Sequence, residues 1–304
     1  MQRILRIYLE DGLRADAEAG QHNFFRILRD AFAARGFQVG WHRNSPAERI
    51  RSVARPGYAL FHAEEPGHAR ALTVWRAYLY PFWRIENTAR RMGWGLAQQD
   101  FDPAAVDAAE AERFRAFWRA RLAGDASATG PDRGRGYVFV PLQGRLLEHR
   151  GFQTMSPVEM LRNVLAEDLE RCILVTLHPS EVYEPAEHAA LAALGPRVEV
   201  VRGDLHALLA GADYVVTQNS GAAFLGLFHR RPVALFAEAD FHHVCHRVDR
   251  LGPAEALRRA REEGELAAAG AYLYWFLQQG CINAGRPGAG EKIIARVAEL
   301  GWQV

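Results

Sequence analysis

Residues 212–228 read Ala212-Asp213-Tyr214-Val215-Val216-Thr217-Gln218-Asn219-Ser220-Gly221-Ala222-Ala223-Phe224-Leu225-Gly226-Leu227-Phe228, and this stretch decides the fold. Tyr214 to Thr217 fits a short buried strand, Gln218 to Gly221 a polar turn, and the following apolar run a helix. Asn219 or Ser220 suits the N-cap, and Gly221 lets the backbone come close to a ligand. First-turn amides lack helical partners and carry the positive end of the helix dipole. A strand that delivers such a turn onto a helix is a ready anion site. The alternative reading of Ser220 is a plain N-cap.

Upstream, Ile173-Leu174-Val175-Thr176-Leu177 reads as a second strand and ends in His178-Pro179-Ser180. In a parallel sheet the two polar strand ends open on one crevice, where open α/β sheets bind ligands. An imidazole there can donate to a phosphate or protonate a leaving group, or it can merely cap the strand. Gln143, at the end of the strand read over 137–142, points toward the same crevice. Glu238, just after the strand at 232–236, suits a ribose or sugar hydroxyl. The motif lacks a Walker lysine and the G-x-G-x-x-G fingerprint, and Ser220 is not in a G-x-S-x-G elbow.

Working outward, strands fit at 137–142, 173–177, 197–201, 214–217 and 232–236, with helices at 157–169, 185–193, 204–210 and 221–229. Apolar strands alternating with helices argue for a parallel, doubly wound α/β sheet. Helices at 253–264, 266–278 and 289–300 fill the tail. Gly124 to Gly136 (GDASATGPDRGRG) reads as a linker and sets a domain boundary. The expected organisation is a first domain over 1–130, a second over 131–280, and a C-terminal helix at 281–304 that can pack back on the first.

The first half is less regular. Strands fit at 3–9, 37–41 and 58–62, with a helix at 22–35. Glu10-Asp11-Gly12 reads as a loop after the first strand. Asp11 there can take a proton from an acceptor hydroxyl, although turn chemistry explains Asp-Gly equally well. Residues 71–101 are rich in aromatics, which suits core packing or a stacking wall for a sugar or lipid. The helix at 103–123 sets Phe114, Phe117 and Trp118 on one apolar face.

With 304 residues, about two domains are expected; the chain is 49% hydrophobic and 24% charged, as a globular protein with a full core requires. A net charge of +1 gives no argument for a nucleic-acid partner. The basic residues are almost all Arg, with Lys292 the single lysine. Cys172, Cys245 and Cys281 are odd in number and far apart, so no disulfide framework follows. His242, His243, Cys245 and His246 suit zinc by type, but no second cluster stands at ligand spacing, and no metal is expected. That segment is read instead as lining a nucleotide, with Arg247 meeting its charge. The first residues read as a strand rather than a signal peptide, and no apolar run reaches membrane-spanning length. A cytoplasmic protein is the expectation.

Val138–Gln143 (VFVPLQ), Ile173–Pro179 (ILVTLHP) and Ala212–Phe236 together resemble bacterial capsular polysaccharide biosynthesis and export proteins, which include retaining Kdo transferases. The resemblance implies a GT-B glycosyltransferase, with two Rossmann-like domains facing a cleft and the donor nucleotide on the C-terminal one. By the resemblance, His178-Pro179 and Asn219-Ser220 match motifs that meet the phosphate of a CMP-sugar. Glu10-Asp11-Gly12 matches the acidic motif that supplies the base. Two departures stand: Gly221 replaces a second hydroxyl residue after Ser220, and the acidic motif follows the very first strand.

The resemblance therefore implies a nucleotide-sugar donor bound as substrate, no cofactor, and a glycan or glycolipid acceptor with peripheral contact at the inner membrane. The expected donor is CMP-Kdo or similar. The expected site is His178 and Asp11 for catalysis, with Gln143, Pro179, Gln218, Asn219, Ser220, Gly221, Glu238 and Arg247 toward the nucleotide. Two alternatives stay open: a UDP- or GDP-sugar transferase or epimerase, and a non-catalytic glycan-binding protein of capsule assembly.

Overall fold

The apolar runs become short strands, as their Val, Ile, Leu and Phe content favours. In chain order these are Ile4–Leu9 (β1), Gln38–Arg43 (β2), Tyr58–His62 (β3), Ala71–Arg76 (β4), Phe82–Glu86 (β5) and Tyr137–Pro141 (β6). Cys172–Thr176 (β7), Val198–Val200 (β8), Tyr214–Thr217 (β9), Val233–Leu235 (β10), His246–Arg247 (β11) and Ile282–Asn283 (β12) follow. The computed structural model describes residues 3–123, 136–264 and 268–304, so all of the expected linker but Gly136 lies outside the described residues. The chain divides into two compact units, Met1–Gln99 with Trp275–Val304, and Asp100–Tyr274.

The second unit holds a six-stranded sheet in the order β11-β10-β9-β6-β7-β8. Every pairing in it is parallel. Counted from β6, this is the 3-2-1-4-5-6 order of doubly wound nucleotide-binding sheets. The chain winds outward from β6 in one direction through β7 and β8, then returns to β9 on its other side. Neighbouring connections therefore diverge between β6 and β9, which pair at Val138↔Tyr214 and Phe139↔Val215.

The helices that flank this sheet begin where the sequence caps them. Ser156 accepts from the Glu159 amide while Glu159 reaches back to the Ser156 amide, and Pro157 opens the helix Pro157–Glu167. Its Val158, Met160, Leu161 and Val164 pack on Val138, Val140, Ile173, Val175 and Val216 in one core. Each such side chain taken fully out of water contributes roughly 1.5–3 kcal/mol.

The first unit holds the sheet β12-β5-β4-β3-β1-β2. β2, β1, β3 and β4 run parallel, β5 pairs antiparallel with β4, and β12 pairs antiparallel with β5. The last helix, Ala289–Glu299, buries Ile293, Ile294 and Val297 in the same core as Phe24, Phe25 and Leu28. Arg296 of that helix donates to Ile85 O at 3.0 Å and pairs with the buried Glu86 carboxylate at 2.6 Å. Gly57 enters β3 at φ +86°, where a Cβ would collide with the Ile4 carbonyl, so the turn requires glycine.

Two local expectations change. Asp11 lies not in a loop but at the start of the helix Asp11–Glu18, with Glu10 as its extended N-cap residue. An acidic side chain in a first turn is favoured by the dipole, which outweighs the turn signal of Asp-Gly. Phe117 is 60% exposed, whereas Ala111, Phe114 and Trp118 are buried. The buried face follows the three- and four-residue spacing from Ala111 to Trp118, and Phe117 falls off it. The aromatic stretch supplies β4 and β5, with Phe82, Trp83 and Trp94 in the core. Among the described residues no helix is long and apolar enough to cross a membrane.

Candidate functional site

Six turns leave the carboxyl edge of the second unit's sheet, and the residues singled out in the sequence lie on five of them. Gln143 follows β6, His178 and Pro179 follow β7, Gln218 to Gly221 follow β9, Glu238 follows β10, and Arg247 ends β11. Parallel pairing puts all of these at one edge. The turns after β7 and β9 flank β6, two strand spacings or roughly 10 Å apart.

The β9 turn is built by its own side chains. Thr217, fully buried, accepts the Ser220 amide on Oγ1 at 3.2 Å and directs its hydroxyl at the Pro141 carbonyl at 3.4 Å. Ser220 caps the helix Gly221–Gly226, its Oγ accepting from the Ala222 amide at 3.3 Å. The Ala223 amide closes on the Ser220 carbonyl at 3.0 Å. That leaves the Gly221 amide and the Ser220 hydroxyl proton without partners among the described residues. The helix tightens into the 3-10 turn Leu227–His229 after six residues, so its dipole is short. What the turn offers an anion is those two donors more than the dipole.

Asn219 and Gln218 tie the turn to its neighbours. Asn219 Nδ2 donates to Glu238 O at 3.0 Å, and Gln218 Nε2 donates to Met155 O at 3.1 Å. Gln218 is 3% exposed, and its Oε1 is buried with no hydrogen-bond partner among the described residues. An orphaned buried carbonyl oxygen costs about 1–3 kcal/mol, so such an atom calls for a partner, a water or a ligand. Glu238 is held by its backbone alone, its amide donating to Phe152 O at 2.9 Å, which leaves an exposed carboxylate.

His178 is exposed and oriented. Its amide donates to the Tyr183 hydroxyl at 2.8 Å, and its Nδ1 accepts the Ser180 amide at 3.3 Å. A ring that accepts on Nδ1 carries its neutral-state proton on Nε2, where it is a donor to an incoming phosphate oxygen. Gln143 is half-buried and its side chain makes no hydrogen bond among the described residues. Beside it, a Cβ on Gly144 would collide with the Glu181 carboxylate, so the turns after β6 and β7 touch.

Arg247 stands apart. Its guanidinium forks onto Asp249, Nε to Oδ1 at 3.0 Å and Nη2 to Oδ2 at 2.6 Å. That pairing holds the Asp249 carboxyl below its usual range. The neighbouring His242 and His243 stack at 4.1 Å, and burial first, then His243, pulls the His242 pKa down to about 4. Burial pushes the Cys245 thiol up. Among the described residues no group of three or more His, Cys, Asp or Glu is placed to hold a metal ion.

Asp11 belongs to the first unit. Its carboxylate is exposed and lies 3.8 Å from Arg14 and 3.3 Å from Arg43. Sequence reasoning missed the segment Phe152–Met155, which runs beside the β10 turn and supplies the acceptor for Gln218. Thr154 donates from both its amide and its hydroxyl to Phe236 O at 2.8 Å. No periodicity marks this segment, because its order comes from partners about eighty residues away in sequence.

Two six-stranded α/β units, one of them doubly wound and wholly parallel with polar turns at its switch point, define a GT-B type of fold. The chain superposes on the KpsC β-Kdo 2,7-transferase of Thermosulfurimonas dismutans with a TM-score of 0.50 at 12% identity, over 98% of this chain and 99% of that one. The KpsC β-Kdo 2,4-transferase of the same organism gives a TM-score of 0.50 at 12% identity, over 90% of this chain and 89% of that one. No protein-family model and no curated protein sequence matches the chain. At this identity the likeness is one of fold.

Proposed function

We propose that the chain is a glycosyltransferase that takes a sugar from a nucleotide donor, of the CMP-Kdo kind, and passes it to a glycan or glycolipid of the cell surface. The observation that carries the reading is the convergence at the β6/β9 switch point. An outward Nε2 donor on His178, the free Gly221 amide, the Ser220 hydroxyl proton and the orphaned Gln218 Oε1 all lie at one sheet edge. Switch points of this order are where doubly wound sheets take nucleotides. In this reading His178, Ser220 and Gly221 hold the donor phosphate and offset the charge that grows on it as the sugar leaves. Glu238, with its free carboxylate, accepts from a ribose or sugar hydroxyl. The likeness of fold to two Kdo transferases supports the choice of donor class.

The experiment is a thermal-shift screen of the chain against CMP, UDP, GDP and ADP, repeated on His178→Ala. A nucleotide at a hundred times its dissociation constant stabilises by about 2.7 kcal/mol, a readily measured rise in Tm. A shift with CMP that is lost in His178→Ala is the expected result. A shift with UDP or GDP alone keeps the site and changes the donor. No shift with any of the four rejects the donor site.

A further inference from the structure

Beyond β6 the chain runs through residues 149–155, to whose side chains the donor site gives no task. Gln153 pairs with Ala237 in an isolated antiparallel bridge, and the Glu238 amide donates to Phe152 O at 2.9 Å. Gln218 Nε2 donates to Met155 O at 3.1 Å, and Asn219 Nδ2 to Glu238 O at 3.0 Å. Residues 149–155 are thus bonded directly to the turns after β9 and β10, which carry Ser220 and Glu238. All of these residues belong to the second unit.

The segment holds donors that no acceptor meets. The Arg150 guanidinium lies over the Phe152 ring, 4.9 Å from its centroid. Its Nε and Nη2 are buried without a hydrogen-bond partner among the described residues. Those two N–H groups share one edge of the planar guanidinium, the fork that grips two oxygens of a carboxylate or phosphate. Arg247, expected to meet the ligand's charge, already spends the same fork on Asp249. Gln153 is 7% exposed, and its Oε1 accepts the Arg150 amide at 2.8 Å. That bond orients the side-chain amide and leaves Nε2 as a further buried donor without a partner among the described residues. Gln218, bonded to the end of the segment, adds a buried acceptor in Oε1. Buried polar groups are paired as a rule, and a covered cation calls for a partner most of all.

We infer that Arg150, with Gln153 beside it, binds a second oxyanion of the donor, a carboxylate or phosphate group other than the phosphate held at Ser220. The inference rests on the nucleotide-donor reading above. Both sources offer the same chemistry, two oxygens of one anionic group matched to the Arg150 fork. A sugar acid supplies it as its carboxylate, and a nucleoside diphosphate as its second phosphate. A nucleoside monophosphate leaves the fork empty, so Arg150 selects among donors where Ser220 and Gly221 hold the phosphate common to all. The Gln153 amide donates to the same group or to a hydroxyl next to it.

The test measures dissociation constants by calorimetry on the full chain, on Arg150→Gln and on Arg150→Lys. The ligands are the mono- and diphosphates of cytidine, uridine, guanosine and adenosine, together with CMP-Kdo. In the wild type, a ligand that carries the second oxyanion should bind about tenfold tighter, or more, than its monophosphate, as hydrogen bonds to a charged group warrant. In Arg150→Gln that gain should vanish while the monophosphate stays within about threefold of wild type. A merely structural role would weaken both ligands alike. Arg150→Lys should keep part of the gain, having the charge without the fork, and serves alone if the glutamine variant fails to fold. A gain with CMP-Kdo that Arg150→Gln abolishes identifies the carboxylate, and one with a diphosphate the second phosphate. A gain that survives in Arg150→Gln, or a monophosphate weakened as much as its larger partner, overturns the inference. So does a wild type that binds monophosphates and gains from neither addition, which leaves the donor reading standing. A wild type that binds no ligand of the set ends the donor reading, and this inference with it.

Discussion

Asn219 Nδ2 donates to Glu238 O at 3.0 Å, which ties the turn after β9 to the turn after β10 across the carboxyl edge of the sheet. Asn219→Ala should cost about 1 kcal/mol, the net worth of one such bond. Asn219→Asp should cost more, because it sets a carboxylate against the Glu238 carbonyl where a donor stood. Urea unfolding of the two variants checks the order. An aspartate variant as stable as wild type would mean the bond is absent in solution.

Ser220 has two separable duties, as cap and as ligand donor. Ser220→Ala should lose about 1 kcal/mol of stability and the nucleotide-induced Tm shift together. Ser220→Asp keeps a capping oxygen but brings a negative charge to the anion site. Its stability should stay within about 0.5 kcal/mol of wild type while the nucleotide shift disappears. Retained nucleotide binding in Ser220→Asp would place the phosphate elsewhere.

His229 makes the second unit sensitive to acid. It is 4% exposed, and its Nε2 meets His206 Nδ1 at 3.1 Å. Burial first, then His206, Arg119 and Arg231, pulls its pKa down to about 4. The unfolded chain, with a histidine value near 6.5, binds the proton first, so stability falls as the pH drops from about 6.5 to 4. At pH 5 this group alone should cost about 2 kcal/mol relative to pH 8. His229→Gln should remove that part of the pH dependence, as read from urea midpoints at the two pH values. An identical pH dependence in the variant would show that His229 titrates normally.

Arg296 and Glu86 hold the last helix against β5. Glu86 is 2% exposed at its side chain and Arg296 25%. Arg296→Ala leaves the Glu86 carboxylate with Arg84 as its remaining ion-pair partner and should cost about 2–4 kcal/mol, most of it the burden of a poorly compensated buried charge. Replacing Glu86 as well, with Gln, should recover part of that loss. A double variant no better than the single would argue against the charge as the cause.

The strand–turn–helix over Tyr214 to Phe228 was legible because its signals are local. An apolar run, a capping serine and a glycine act within a turn or two of backbone, and β9 begins and ends where that pattern says. The strands around it were legible for the same reason, and a parallel sheet then obliges their polar ends to share an edge. Phe117 was misread because a helix face over a long Ala/Glu/Arg-rich run is fixed by its neighbours, not by the aromatic residues it carries. β12 could not be read at all: Ile282 and Asn283 form a strand only because β5 offers them a free edge.

The sequence by itself therefore determined β1 to β3 and β6 to β10, with the cap at Ser220 and the polar residues that follow those strands, all of which depend on residues a few positions apart. Tertiary structure alone decided which of those groups meet. The Glu10–His62 pair joins residues 52 apart in the chain, and the Gln218–Met155 bond residues 63 apart. Such partners share no local propensity or period. They are chosen by strand order, because only the sheet brings the ends of β1, β2 and β3 side by side.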